Sequence, residues 1–165
     1  AGNDTLVGSD AGTGSLNGGV GDDLIIVSGK MHDSTTGVLL RYAIEGGSGN
    51  DTLDLSGMQP EESNGSLFGV FADFNKLGGG FIGQAGLMVT GVEKIIGTGA
   101  RDIFTFQGDA AYSFVGGAGD DTFIFSGSRG RAEGGVGNDV YSISFRQNGE
   151  HQIKYTEGQD TLVFE

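Results

Sequence analysis

Three observations in the sequence predict an all-β protein built from short repeats. Gly accounts for 34 of the 165 residues, roughly three times its ordinary share, and its periodic recurrence favours a repeat architecture over low-complexity disorder. One nonapeptide occurs as GGAGDDTFI and again as GGVGNDVYS 18 residues later. Apolar and polar residues alternate after these glycines, which is typical of short strands.

The nonapeptide follows the pattern GGxGxDxUx, in which U is a large apolar residue, and each place has a physical reason. Glycines at the first, second and fourth places allow a positive φ that a Cβ would penalise. Such a turn aims successive carbonyl oxygens into a small volume, and the Asp adds a carboxylate, so the ligand set is all oxygen and suits Ca²⁺. The xUx tail is a short strand with one residue pointing inward.

Seven segments align on the sixth-place aspartate of this pattern. Their spacings are 19, 28, 51, 19, 18 and 21 residues, and the aspartates are Asp4, Asp23, Asp51, Asp102, Asp121, Asp139 and Asp160. Most of these spacings lie near 18, which is two nonapeptides, and the units between them, such as SDAGTGSLN and FSGSRGRAE, are degenerate. The two longest spacings predict insertions at about 28–40 and 56–91.

The pattern resembles the calcium-binding nonapeptide repeat of the RTX (repeats-in-toxin) haemolysin-type family. The resemblance implies a right-handed parallel β-roll in which two nonapeptides make one turn, so that loops 18 residues apart stack on the same edge. It therefore places all seven aspartates along one edge, with both insertions bulging from the unloaded edge. We expect residues 1–165 to form a single module, excised from a larger protein, with a C-terminal cap at about 143–165.

The resemblance also implies the ligands. One loop offers its first, third and fifth carbonyls, and the next loop along the edge offers its second and fourth carbonyls plus the Asp carboxylate. We expect about four to six Ca²⁺ ions held in this way, each by about six oxygens. The candidate ligands are Asp4, Gly18, Gly19, Val20, Gly21, Asp22, Asp23, Gly46, Gly47, Ser48, Gly49, Asn50, Asp51, Gly97, Thr98, Gly99, Ala100, Asp102, Gly116, Gly117, Ala118, Gly119, Asp120, Asp121, Gly134, Gly135, Val136, Gly137, Asn138, Asp139 and Asp160.

Two of these loops depart from the pattern. Arg101 adds a positive charge beside Asp102, which predicts a weaker site there. The loop of Asp160 keeps only Gly158 of the glycines. For Asp22 and Asp120, at the variable fifth place, we expect the backbone carbonyl to matter more than the side chain.

The strand positions predict a narrow core made of two facing ladders. After the aspartates stand Leu6, Ile25, Val27, Leu53, Leu55, Phe104, Phe106, Phe123, Phe125, Tyr141, Ile143, Leu162 and Phe164, and on the return strands stand Leu16, Ile44, Ile95, Phe114 and Ala132. Because such a core is thin, metal binding must supply much of the stability.

Net charge, hydropathy and the lack of cysteine argue against several classes of partner and location. The net charge of −13 argues against nucleic acid and anionic membranes as partners, and the longest apolar runs are too short for a membrane span. The absence of cysteine fits a secreted or cell-surface bacterial protein that calcium stabilises instead of disulfides. The opening stretch AGNDTLVG reads as the tail of a repeat, so we expect no N-terminal signal peptide in this sequence.

Two functions are open at this point. The first is a calcium-responsive structural module, a monomer that folds after type I secretion, as the resemblance implies. The second is a ligand-binding adhesion module that holds a glycan or peptide on the 56–91 insertion or the unloaded edge, or an accessory domain of a secreted exoenzyme. Exposure of the aromatic residues in that insertion would favour the second function and their burial the first; they are Phe68, Phe71, Phe74 and Phe81.

The chain is not expected to be an enzyme. His32 and His151 are its only histidines, neither lies in an HExxH motif, and no Ser/His/Asp set is evident. The 56–91 insertion begins in the stretch DLSG, contains a glycine-flanked aromatic segment and leads into VEKIIG. This layout is similar to inserts of serralysin-type C-terminal domains, and the likeness implies structure more than activity.

Overall fold

A computed structural model describes residues 1–8, 13–30, 32–33, 38–39, 41–63, 66–74, 79–83, 87–107, 111–127, 129–144 and 150–165. In these ranges the secondary structure is all β, with 21 strands numbered β1 to β21 in chain order. No helix long and apolar enough to cross a membrane occurs in the described part of the chain. The predicted all-β class is confirmed.

A seven-stranded sheet, called sheet A, is parallel throughout. Its strands in spatial order are β1 (Thr5–Gly8), β3 (Leu24–Val27), β8 (Thr52–Asp54), β14 (Lys94–Ile96), β16 (Tyr112–Ala118), β18 (Arg129–Val136) and β20 (Glu150–Lys154).

A ten-stranded sheet, called sheet B, is parallel except around its middle, where β12 runs antiparallel to both neighbours and β10 runs antiparallel to β11. Its strands in spatial order are β2 (Thr13–Val20), β7 (Arg41–Ser48), β13 (Leu87–Thr90), β12 (Gly79–Gly83), β11 (Ser66–Phe74), β15 (Arg101–Phe106), β17 (Thr122–Phe125), β19 (Val140–Ile143) and β21 (Thr161–Phe164), with β10 (Glu61–Ser63) beside β11. Two small sheets pair β4 (Gly29–Lys30) with β9 (Met58–Gln59) and β5 (His32–Asp33) with β6 (Val38–Leu39).

The chain alternates between the two large sheets, and the strand register shows the repeat length directly. Phe104 pairs with Phe123, and Phe123 pairs with Tyr141, so equivalent positions recur after 19 and 18 residues. Because the repeating strands within each sheet are parallel, the crossings from B to A and those from A to B lie at opposite ends of the strands. We call the side where the chain enters sheet A edge A, and the side where it enters sheet B edge B.

The core lies between the sheets and is aromatic in its C-terminal half. Phe104, Phe123 and Tyr141 stack along sheet B with ring centroids 5.3 and 5.1 Å apart. Phe114 of sheet A faces them, with its ring centroid 4.9 Å from that of Phe104 and 4.3 Å from that of Phe106. These inward positions are the ones that the period-2 pattern predicts, because alternate side chains of a strand share a face.

Most of the predicted core residues are buried, and the exceptions lie near the ends of the sheets. Leu6, Leu16 and Ile143 are partly buried against the core. Leu162 and Phe164 are 37% and 56% exposed. They lie on β21, the last strand of sheet B in this structure, so no strand covers their outer side.

The structure treats the two predicted insertions differently. The described part of the first one, β4 to β6, stands between β3 of sheet A and β7 of sheet B and so lies on edge B, opposite Asp23 and Asp51. The second insertion was expected to bulge out, and that is wrong, because β11, β12 and β13 complete the middle of sheet B. In it Val70 and Ala72 are buried and Phe71 is 44% exposed. The side chains of Phe68, Phe74 and Phe81 lie outside the described residues.

Replacing Phe114 by Ala should lower the free energy of unfolding by about 3–5 kcal/mol, because the side chain is fully buried and a cavity would remain between the sheets. Urea denaturation measures the change. Met88→Ala is the control: Met88 is 67% exposed, and the change should be within about 0.5 kcal/mol. Equal losses in both variants would contradict a core between the sheets.

Candidate metal centre

The seven aspartates lie on two edges, so the expectation of a single loaded edge is wrong. Asp4, Asp23 and Asp51 precede strands of sheet A and lie on edge A. The other four lie at the starts of strands of sheet B, on edge B: Asp102 is the second residue of β15, and Asp121, Asp139 and Asp160 directly precede β17, β19 and β21. Motif loops therefore occupy edge A in the N-terminal half and edge B in the C-terminal half.

Glu93 explains the change of edge, and the sequence reading missed it. It precedes β14 of sheet A, and its Oε2 accepts the Asp51 N–H at 2.9 Å, the contact that an aspartate makes in the other repeats. Glu93 therefore holds the next aspartate place on edge A. Asp102 follows nine residues later, which is one nonapeptide and one crossing. The sequence did contain a signal, the stretch GVEKIIG, in which an acidic residue directly precedes a strand. That residue is Glu, whose side chain is longer than that of the Asp in the motif.

The loop glycines divide into two kinds. The second and fourth glycines have positive φ, such as 96° at Gly19 and 133° at Gly21, or 115° at Gly135 and 149° at Gly137. The first glycine of each motif is absent from the positive-φ set, so the expectation for that place is wrong. The first place requires glycine for a different reason, which is space.

The aspartate carboxylates form a hydrogen-bonded ladder along each edge. Along each ladder Oδ1 accepts the backbone N–H of the aspartate one loop earlier, as from Asp4 to Asp23 at 2.7 Å and from Asp121 to Asp139 at 2.9 Å. Asp102 is the exception, because its Oδ1 accepts the Val70 N–H. Asp160 continues the ladder by accepting the Asp139 N–H at 3.0 Å. Oδ1 thus fixes each carboxylate, and Oδ2 is left to point into the loop.

Four of these Oδ2 atoms are buried and have no hydrogen-bond partner among the described residues; they belong to Asp23, Asp51, Asp121 and Asp139. All four side chains are at most 2% exposed. A buried charged oxygen without a partner is costly. Asp4 is exposed and Asp160 is partly exposed, and neither belongs to this set.

The missing Cβ of the first glycine leaves the space that these oxygens face. A Cβ on Gly18 would lie 2.5 Å from the Gly46 carbonyl oxygen and closer still to Asp23 Oδ2. A Cβ on Gly116 would likewise lie 2.6 Å from the Gly134 carbonyl oxygen and close to Asp121 Oδ2. Carboxylate and carbonyl oxygens thus converge where no side chain can stand, which is the donor set that Ca²⁺ prefers.

The third-place carbonyls also join neighbouring loops. The Gly21 N–H donates to the Ser48 carbonyl at 2.9 Å, and the Gly119 N–H donates to the Val136 carbonyl at 2.8 Å. A carbonyl oxygen has two lone pairs, so one remains for a further partner. Within the described ranges no group of three or more His, Asp or Glu side chains converges as a metal site. A cation here would be held mainly by carbonyls.

Asp102 differs from the other aspartates because both of its oxygens are used. Its Oδ1 accepts the Val70 N–H at 2.6 Å and the Thr98 hydroxyl at 2.9 Å, and its Oδ2 accepts the Thr98 N–H at 2.7 Å. Thr98 stands where the motif has its second glycine. The hydroxyl and N–H of Thr98 thus satisfy the Asp102 carboxylate with hydrogen bonds, whereas the full motif loops leave one carboxylate oxygen for a cation.

An outer ladder runs beside the aspartates, formed by the fifth-place side chains. The Asn50 N–H donates to Asp22 Oδ1 and the Asn138 N–H donates to Asp120 Oδ1, both at 2.8 Å. On edge B, Asn138 Oδ1 accepts the Gln159 N–H in turn. The side chains of Asp22 and Asp120 therefore stack the loops, a role that the sequence reading did not assign. Its signal was the recurrence of Asn or Asp at that place.

Burial and mutual repulsion oppose ionisation of the carboxylates on edge B. Burial, with like charges on Asp102, Asp139 and Asp120, raises the pKa of Asp121 to about 8. Burial also raises the pKa of Asp102 to about 6 and raises the pKa of Asp139. The ionised form of this edge is therefore disfavoured until a counter-charge is supplied.

No protein-family model matches this chain, and no curated protein matches it. The likeness to the RTX repeat accordingly rests on the motif residues, which are the full glycine sets around Asp23, Asp51, Asp121 and Asp139.

Proposed function

We propose that this chain is a calcium-binding structural module with the architecture of a β-roll. The observation that carries the proposal is the set of four buried, unpartnered Oδ2 atoms, those of Asp23, Asp51, Asp121 and Asp139. Two of them face a first glycine and a carbonyl of the adjoining loop. A hard cation with oxygen ligands suits that environment better than any side chain of the protein does.

The same observation suggests four ions in two arrays. Asp23 and Asp51 would each supply one carboxylate oxygen on edge A, and Asp121 and Asp139 would do so on edge B. Loop carbonyls from the candidate ligand set would supply the remaining oxygens. The Asp102 loop would hold no ion, because Thr98 and Val70 already satisfy its carboxylate.

The biological role follows from where calcium is available. Extracellular calcium modules have dissociation constants of about 10⁻⁴ to 10⁻³ M, so each site would add roughly 1 kcal/mol to stability at millimolar calcium. We infer a monomeric module of a secreted or surface protein that folds after export, consistent with a type I route as in the family it resembles. A chain without cysteines depends on no disulfide.

We propose a structural or accessory role and no enzymatic activity for this chain. The ligand-binding alternative has one specific observation in its favour, a groove on the outer face of sheet A that is described below. Among the described side chains of the 56–91 insertion, Phe71 is the one aromatic residue, at 44% exposure, and a single ring makes no binding platform.

Equilibrium dialysis with radioactive calcium should give about four bound ions per chain, because about one ion is expected for each unpartnered carboxylate. Asp121→Asn should lose at least one ion, since an amide supplies no charge. Asp102→Asn, the same change one repeat away, should lower stability and leave the ion count unchanged. A count that falls equally in both variants would contradict the assignment of Asp102 as metal-free.

Acid should partly replace calcium. The pKa of Asp121 in the folded chain is about 8, above its ordinary value of 3.8, so the folded state binds a proton that the unfolded chain releases. That stabilisation is fully present below about pH 4 and is lost as the pH rises through about 8. Circular dichroism in metal-stripped buffer should therefore show strand signal growing as the pH falls from 8 to 5.

Asp121→Asn is the control for this pH dependence, because the amide does not titrate and the response should flatten. A strand signal that declines steadily on acidification of the unmodified chain would contradict the proposed electrostatic cost of edge B.

Terbium luminescence should report the site at Asp139 through Tyr141. The Tyr141 hydroxyl lies 2.6 Å from where a Cβ on Gly134 would stand, and Asp139 Oδ2 lies beside the same point. Tyr141→Phe should reduce tyrosine-sensitised Tb³⁺ emission more than Tyr42→Phe, since Tyr42 packs against Gly14 away from the motif loops. Equal emission from both variants would place the ion elsewhere.

A further inference from the structure

A groove of about 420 Å³ lies on sheet A, away from the motif loops. It is formed by β16, β18 and β20, where the outward side chains are short on one strand and long on the next two. Ala111 and Ser113 stand beside Arg129 and Arg131, with Glu150 and Gln152 beyond them. The step between short and long side chains makes the concave surface.

The strand register fixes these groups in two rows. Ser113 pairs with Arg131, and Arg131 pairs with Gln152. In the row nearer edge A, Arg129 pairs with Glu150. Neighbouring strands lie about 4.8 Å apart, so the two guanidinium groups and the carboxylate can reach one small molecule. Rigid strands hold all of them.

The charge of the groove is opposite to that of the chain. The protein carries −13 overall, yet both arginines are exposed. Neither has a hydrogen-bond or ion-pair partner among the residues that the structure describes. Lys154 on the same face differs, because its Nζ contacts Glu133 Oε1 at 2.5 Å. Lys94 is a third exposed cation. It lies on β14, the strand beside β16, in register with Ser113.

We propose that this groove binds an acidic saccharide, a sugar ring that carries a carboxylate. Arginine binds carboxylates through paired N–H donors, so Arg129 and Arg131 would bind the carboxylate of the saccharide. Glu150, Gln152 and Ser113 offer the acceptors and donors that sugar hydroxyls require. The volume falls within the range of about 300–1,000 Å³ that is usual for small-ligand sites.

A sugar fits this lining better than an acidic peptide does. Besides the polar groups, the groove is lined by Ala111, Tyr112 and Gly130, which give the apolar face of a sugar ring a surface to pack on. Glu150 would repel a second carboxylate of an acidic peptide, whereas a carboxylate readily accepts hydrogen bonds from two sugar hydroxyls.

Nuclear magnetic resonance titration in millimolar calcium tests the proposal with 3′-sialyllactose as the probe. Lactose serves as the neutral counterpart and an acetylated triglutamate peptide as the acidic one. Sialyllactose should bind and shift the amides of β18 and β20, and the other two should not. The variant R129Q/R131Q should bind sialyllactose at least about tenfold more weakly, because two charge-assisted contacts are lost.

The matched control is K30Q/R101Q, which also removes two positive charges at exposed positions away from the groove and should keep its affinity. Binding of lactose or of the peptide as tight as that of sialyllactose would overturn the proposal. So would unchanged affinity in R129Q/R131Q or no binding by the unmodified chain. Calcium stoichiometry is measured separately and does not depend on this result.

Discussion

The rest of the structure depends on one constraint: a line of aspartate carboxylates is buried along each motif edge. These carboxylates lie where the chain crosses from one sheet to the other. With the exception of Asp102, Oδ1 of each stacked carboxylate accepts the backbone N–H of the aspartate one loop earlier; Asp121 Oδ1, for example, accepts the Asp102 N–H at 2.7 Å. Oδ2 is thereby turned into a space bounded by backbone carbonyls. Such an arrangement concentrates negative charge in a poorly solvated place. It becomes favourable when a cation occupies that space, and this requirement links loop sequence, strand register and stability.

We expect the core to offset only part of this cost, because each turn contributes few inward side chains. Strands such as β17 are only four residues long, and the glycines raise the conformational entropy lost on folding. Each turn contacts mainly its neighbours, as in other repeat proteins, so the loss of one site weakens adjacent turns. Near the middle, neither Glu93 nor Asp102 has a buried side-chain oxygen that lacks a hydrogen-bond partner. That region therefore separates the proposed ion arrays of the two edges.

Much of the fold was predictable from sequence because the glycine motif and the period-2 pattern are both local signals. Inward residues from Ile25 to Tyr141 are buried as predicted. The change of edge was not predictable from aspartate spacing alone, since Glu93 took an aspartate place across an insertion of irregular length. The closed environment of Asp102 depends on Val70, which lies 32 residues away. The groove arises from side chains on three strands that only the register brings together.

Far-UV circular dichroism during a calcium titration at neutral pH tests the central claim, that calcium drives folding, most directly. Starting from excess chelator, the chain should be largely disordered and should become β-rich over a narrow range of calcium concentration, because the stacked sites share loops. Magnesium at the same concentration should have a much smaller effect, since it loses its water reluctantly and demands stricter geometry. A full β signal that persists unchanged in excess chelator would show that the sheets fold without metal and would contradict the claim.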